Sequence, residues 1–204
     1  YGEQFMGKPL RDALKRVKPD ILLLGEDDGT GAGTETIYAD YSSGGINGGV
    51  DAAYDFKLYF SRIRDFYSTT NITALHNEFN NNGYYPGEHA LYMRFMESQD
   101  EDRIVYFYSS NFSIADSIAF MRTMPMASAL FTAPGIPMLW HGQELGFGYG
   151  ISGIKEARSR SVIDWNYKGR YVLAPDYQKI VSIRGQFPAL TQHKRDTNHD
   201  GQVT

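Results

Sequence analysis

Helical patterns alternating with short apolar runs predict an α/β protein of parallel βαβ units, either an open doubly wound sheet or part of a (β/α) barrel. Two of the apolar runs lead straight into carboxylates, Ile21-Leu-Leu-Leu-Gly-Glu26-Asp27-Asp28 and Leu91-Tyr-Met-Arg-Phe-Met-Glu97-Ser-Gln-Asp100. In both architectures ligands bind at the carboxyl ends of the strands, where a buried strand holds its last residue rigidly. One acidic terminus can simply end a strand; two together point to a site. The 204 residues suffice for a sizeable core, as one domain or part of a larger one.

Residues 6–17 put Leu10, Ala13, Leu14 and Val17 on one helical stripe, and Pro9 falls near the first turn, where its missing N–H costs little. Lys18-Pro19-Asp20 stops that helix, and 21–24 form a short buried strand. Residues 25–49, loaded with glycine, serine, threonine and tyrosine, read as a long loop of the kind that is usually functional or disordered. A second strand fits 52–56, and Leu58, Ile63 and Phe66 suit a short helix over 58–67. The polar, glycine-containing stretch 77–87 reads as a connection and 91–96 as a third strand. Ser113 with Asp116 makes a capping-box pattern, opening a helix to about Phe131 that Pro125 should kink. Ala133-Pro134-Gly135 is a break, 136–140 a fourth apolar strand, and 177–184 a last helix before Phe187-Pro188. Glu26, Glu97, Asp100, His141 and Glu144 therefore all fall at or beyond strand ends.

Composition narrows the function. Hydrophobic residues make up 42% and charged residues 22%, which suits a soluble globular chain and neither disorder nor a fibrous repeat. A net charge of −4, with no basic cluster larger than Lys194-Arg195, argues against nucleic acid as a partner. The absence of cysteine rules out disulfides, thiolate metal sites and a cysteine nucleophile, and leaves the compartment open. No apolar run reaches membrane-spanning length. Fifteen tyrosines against two tryptophans suit a surface that stacks on sugars or bases, and equally an aromatic core. No initiator methionine, basic leader or signal-type segment precedes the first helix, so the chain is expected to begin mid-protein.

Among candidate motifs, Gly29-Thr-Gly31-Ala-Gly33-Thr34 fails as a dinucleotide loop. Thr34 stands where the third glycine belongs, and Glu26, Asp27 and Asp28 would repel a pyrophosphate. His141 and Glu144 could ligate a metal, but no second histidine stands at helical spacing, so no metal site is assigned. Asp196-Thr-Asn198-His-Asp200-Gly201 matches the first half of a calcium loop and lacks the later glutamate; a solvated turn between domains reads it better. Paired carboxylates remain. Glycoside hydrolysis needs one carboxyl protonated near neutral pH and an ionised partner, and strand-end carboxylates under aromatic loops provide that setting.

Four stretches, taken in order, resemble the α-amylase family of glycoside hydrolases, family 13. Pro19-Asp-Ile-Leu-Leu-Leu-Gly-Glu26 is similar to the fifth barrel strand ending in the general acid, and Phe95-Met-Glu97-Ser-Gln-Asp100-Glu-Asp-Arg103 to the seventh-strand motif. Ala133-Pro-Gly-Ile-Pro-Met-Leu-Trp-His-Gly-Gln-Glu-Leu-Gly146 resembles the eighth strand and its loop. Arg160-Ser-Val-Ile-Asp-Trp165, Tyr177-Gln-Lys-Ile-Val-Ser-Ile-Arg184 and Phe187-Pro-Ala-Leu190 resemble the final loop, last helix and exit. The resemblance implies a parallel (β/α) barrel, second half only: strands five to eight with their helices in residues 1–190, and an exit segment, 191–204, leading towards a C-terminal β domain. It further implies Glu26 as acid/base and Asp100 as transition-state stabiliser, with Gln99, Glu97 and Arg103 around the substrate.

Two departures qualify it. The family's nucleophile lies in a Gly-Phe-Arg-x-Asp motif that does not occur here, so the nucleophile, the first four strands and a calcium-bearing insertion are expected upstream, and this chain alone should not run the double displacement. Gln99 stands where the family usually has histidine; it can donate one comparable hydrogen bond but cannot carry charge. The implied activity is hydrolysis or transfer at α-glucosidic bonds, with an α-glucan or oligosaccharide as substrate, the missing half barrel as partner, and calcium as an expectation for the complete protein only. Family habit favours an extracellular or periplasmic location. The alternative is a non-catalytic carbohydrate-binding homologue.

Overall fold

The computed structural model describes residues 8–26, 51–64, 71–80, 91–148 and 163–191. The long loop expected after Gly25, the glycine motif at 29–34, most of 77–87 and the tail with its half calcium loop lie outside these residues. The chain divides into two units, Tyr1–Met96 with Ile136–Met138, and Glu97–Gly135 with Leu139–Thr204.

The first unit holds four parallel strands, β1 (Leu24–Gly25), β2 (Ala52–Tyr54), β3 (Leu91–Arg94) and β4 (Ile136–Pro137), hydrogen-bonded in the order β1-β2-β3-β4. Sequential order without a reversal is the arrangement of a (β/α) barrel; a doubly wound sheet would turn back at a switch point. All four strands are shorter than the apolar runs suggest. The Leu23 N–H is taken by Asp51 Oδ2 at 2.9 Å, so β1 starts at Leu24 rather than Ile21. Beyond β4, the Trp140 carbonyl accepts from Gln143 N–H at 2.9 Å and the chain turns.

Helix α1 (Lys8–Val17) forms as expected, with Lys15 and Arg16 in its last turn, where cations oppose the helix dipole. Its apolar stripe is not buried, however: Val17 is 86% exposed, Leu10 is exposed, and only Leu14 is half-buried. Ion pairs hold it instead, Arg11 and Lys15 reaching Asp51 at 2.5 and 2.7 Å. The helix α2 (Phe56–Leu58), capped by the Asp55 carboxylate accepting from Leu58 N–H at 3.0 Å, continues as a π-helical turn, Tyr59–Ile63. A further helix, α3 (Ile72–Asn80), occupies the start of what the sequence presents as a polar connection. Its polar composition hides it, because only Leu75 is buried among its described side chains.

The second unit is helical. α4 (Ile104–Asn111) is a helix that the sequence pattern does not announce, lying between the acidic loop and Ser113. α5 (Asp116–Thr132) runs through Pro125 and buries Ala119, Phe120, Met126, Ala127, Leu130 and Phe131, a 3–4 residue periodicity that faces the core. The expected capping box is absent: Ala115 stands at the N-cap, and Ser113 adopts a left-handed φ of 52°, so its hydroxyl does not cap α5. α6 (Ala174–Gln186) contributes Tyr177 to the core. Arg184 donates to the carbonyls of Phe131, Ala133 and Gly135 at 2.8, 3.2 and 2.7 Å, satisfying acceptors that the end of α5 leaves open.

Candidate functional site

Register sorts the strand residues of the first unit onto two faces. Leu24 pairs with Ala52, Tyr54 with Met93, and Met93 with Ile136. Alternation then adds the next-but-one residues Glu26, Phe95 and Met138 to this face. The opposite face carries Asp55, Tyr92 and Arg94, and α3 covers it. Arg94 Nη2 donates to the Phe79 carbonyl at 2.8 Å, its guanidinium lies 5.0 Å from the Phe79 ring centroid, and its Nε meets Asp55 Oδ2 at 3.3 Å.

Glu26 thus stands just beyond the carboxyl end of β1 on the face turned from α3, and it is exposed. Its neighbour across the ladder is Tyr54, whose phenol is pushed up by burial and by the Glu26 charge. On this face Leu24, Tyr54, Met93, Ile136 and Met138 are half-buried while Ala52 and Phe95 are fully buried; on the other, Tyr92, Arg94 and Asp55 are buried.

In the second unit, the loop that leaves β3 is built on a buried ion pair. Arg103 Nη1 donates to Glu97 Oε2 at 2.7 Å, each side chain being 1% exposed, and Glu97 Oε1 accepts from Ile104 N–H, the first of α4, at 3.0 Å. The same Nη1 donates to the His141 carbonyl at 2.8 Å, and the Phe147 ring lies 5.6 Å from the guanidinium. One cation therefore ties together the two ends of the acidic loop and the loop beyond Trp140. Burial pushes the Glu97 carboxyl up; the Arg103 charge and the Ile104 N–H pull against that, while Glu144 adds to it. Arg103 Nε and Nη2 and Glu144 Oε2 are buried with no hydrogen-bond partner among the described residues, so the cluster is held at a cost in desolvation.

Between the ends of that loop, Gln99 and Asp100 are half-buried. Asp100 N–H donates to Ser98 Oγ at 3.3 Å, and Gln99 Nε2 reaches Asp100 Oδ2 only at 3.5 Å. His141 is largely exposed, its ring 4.4 Å from the Trp140 ring; partial loss of surrounding water, with the nearby Arg103 charge, holds its imidazole below the usual range against the pull of Glu144.

Of the residues singled out from sequence, Glu97 and Arg103 are bonded to each other, Gln99 and Asp100 share their loop, and Glu26 belongs to the first unit. Three groups escape sequence reasoning. Gln143 Nε2 donates to the Tyr177 hydroxyl at 2.9 Å inside the second unit, a pairing 34 residues apart with no local signal. The Asp55–Arg94 pair lies on strand ends yet within apparently apolar runs. Tyr54 is within reach of the rule that singles out Glu26, since it is the last residue of β2. Among the described residues no group of three or more His, Asp or Glu is placed to hold a metal ion, and no helix is long and apolar enough to cross a membrane.

No protein-family model and no curated protein sequence matches the chain. Solved structures do. An Anoxybacillus α-amylase superposes with a TM-score of 0.69 at 23% identity, over 91% of this chain and 37% of its own. The α-amylase of Geobacillus thermoleovorans, solved with acarbose, gives 0.65 at 22% identity, over 91% and 38%. A cyclic α-maltosyl-(1→6)-maltose hydrolase from Arthrobacter globiformis, solved with maltose, gives 0.60 at 15% identity, over 92% and 39%. The chain spans about two fifths of the length of these structures, and the likeness establishes its fold: part of the (β/α)-barrel architecture of α-amylase-type enzymes.

Proposed function

We propose that this chain is the part of a retaining α-glucan-active glycoside hydrolase that carries barrel strands five to eight, β1 to β4, in residues 1–190, with 191–204 leading out of the barrel. The observation that carries the reading is the exposed carboxylate of Glu26, at the carboxyl end of β1 and on the sheet face that α3 leaves uncovered. Sequential parallel strand order and the fold shared with α-amylases support it. The half-buried apolar residues of that face suit a surface that further strands of a barrel would cover.

In this reading the Glu26 carboxyl gives its proton to the glycosidic oxygen as a carboxylate expected upstream of this chain bonds to the anomeric carbon. The Glu26 carboxylate then takes a proton from the water, or from the acceptor hydroxyl, that displaces the enzyme ester. Asp100 stabilises the oxocarbenium-like charge, and the Gln99 amide donates to a sugar hydroxyl. Glu97 and Arg103, spent on each other, act from behind by fixing the loop on which Gln99 and Asp100 stand. The substrate is an α-linked glucose oligomer, the class to which the maltose bound to the Arthrobacter hydrolase belongs.

The test is Glu26→Gln in the complete protein. General acid/base catalysis contributes about 10²–10⁴-fold, so turnover should fall by that factor while oligosaccharide binding stays measurable. Unchanged turnover would refute the assignment. The second reading, a sugar-binding homologue without turnover, rests on Gln99, whose neutral amide replaces a group able to carry charge. An upstream Gly-Phe-Arg-x-Asp motif favours the enzyme; another residue in place of that aspartate favours the binder.

A further inference from the structure

We propose that Tyr54 is a substrate-contacting residue at the shoulder of Glu26, its phenol O–H donating to a hydroxyl of the same α-glucosyl unit that Glu26 protonates. The inference rests on the acid/base reading of Glu26. Three observations lead to it. Gly25 pairs with Ala53, so one step further along the parallel ladder sets Glu26 beside Tyr54, on the same face and at the same carboxyl edge of the sheet. That face is the one α3 leaves uncovered, and Tyr54 is half-buried there, with Glu26 exposed next to it. The Tyr54 ring is also pinned. It stacks on Phe56 with centroids 5.8 Å apart and meets the edge of Phe95 at 5.5 Å, while Phe95 is itself stacked on Tyr59 at 4.9 Å.

A tyrosine held by two rings, one of them backed by a third, and standing next to a carboxylate across the ladder is pre-organised. Its apolar body is packed, its hydroxyl has little rotamer freedom to lose on binding, and it offers a donor to a ligand rich in hydroxyls. Burial and the Glu26 charge both hold the phenol in its protonated, donating form.

The test uses the complete protein and acarbose as probe. In the Glu26→Gln background, adding Tyr54→Phe should weaken acarbose binding about tenfold by calorimetry, the loss of one hydrogen bond of about 1.4 kcal/mol. The thermal midpoint should stay put, because the phenylalanine ring keeps its stacking partners. With Glu26 intact, Tyr54→Phe should lower kcat/KM by a similar factor. Equal acarbose affinity with and without the hydroxyl overturns the proposal, as does a lowered midpoint with unchanged affinity, which would mark Tyr54 as packing alone. Failure of the underlying reading looks different: Glu26→Gln would keep its turnover, or would not bind acarbose at all, whatever stands at position 54.

Discussion

Replacing Arg103 by methionine tests how the acidic loop is held. Methionine fills the volume over Phe147 but leaves Glu97 fully buried with one hydrogen bond, from Ile104 N–H at 3.0 Å, and frees the His141 carbonyl. Removing one partner of a buried ion pair costs about 3–5 kcal/mol, because the remaining charge has no compensation. Glu97 can escape part of that by taking up a proton, at about 1.4 kcal/mol per pKa unit between its folded value and the buffer. The assay is the thermal midpoint of the complete protein as a function of pH. At about 2–4 °C per kcal/mol for a domain of this size, a drop of roughly 6 °C or more is expected at pH 7. The sign of the pH dependence is fixed by Glu97, whose folded pKa burial already raises and which would rise further without Arg103. Stability from a raised carboxyl is present at low pH and lost as pH climbs through the folded value, so the variant should recover ground as the buffer is taken from 8 towards 5. In the double variant Glu97→Gln/Arg103→Met the neutral amide can still accept from Ile104 N–H, and more than half the loss should return. A single variant that melts within a degree of the parent at every pH would refute the clamp.

Other perturbations read other parts of the fold. Asp51→Asn removes the pairs with Arg11 and Lys15 and should cost about 1–2 kcal/mol in thermal or urea unfolding at neutral pH. The Asp51 carboxyl is held below its ordinary value of 3.8, with burial opposed and outweighed by Lys15, the Leu23 N–H and Arg11. Its stabilisation is therefore present above 3.8 and lost as pH falls through the lower folded value, and the asparagine variant should show a flatter acid limb. Gly169→Ala would set a Cβ 1.7 Å from the Leu145 carbonyl oxygen, a backbone atom that cannot swing aside. Several kcal/mol should be lost, seen as a lower midpoint or poor soluble expression; a melting point equal to the parent's would refute that packing.

The strand-ending carboxylates and the alternation of elements are legible in the sequence because both are local signals, a short apolar run and the residues directly after it. Register is not local, and register decides faces. Asp55 and Glu26 each stand directly after a strand, yet pairing puts Asp55 under α3 beside Arg94 and leaves Glu26 on the other side. α4 is illegible for a related reason. Ile104-Val-Tyr-Phe-Tyr is as apolar and β-branched as a strand, and becomes a helix where Glu97 accepts the Ile104 N–H and so fixes the first turn. Ser113 misleads in the opposite way, since a capping pattern needs an extended residue at the cap, and its φ of 52° removes the geometry that the pattern assumes.

Three of the carboxylates have both oxygens committed to the fold. Asp51 gives Oδ1 to Arg11 and Oδ2 to Lys15 and the Leu23 N–H. Asp55 gives Oδ1 to the Leu58 N–H and Oδ2 to Arg94. Glu97 gives Oε1 to the Ile104 N–H and Oε2 to Arg103. Each of the three would break a bond to a buried or half-buried partner before passing a proton to a substrate, so each stabilises the fold and serves chemistry at most indirectly. Glu26 is exposed, and Asp100 is half-buried on a loop whose ends are anchored elsewhere. Of the strand-end carboxylates Glu26, Glu97 and Asp100, Glu97 is therefore the one committed to structure; Tyr54 with its ring cluster stands beside Glu26, and the Glu97–Arg103 pair fixes the loop that carries Asp100.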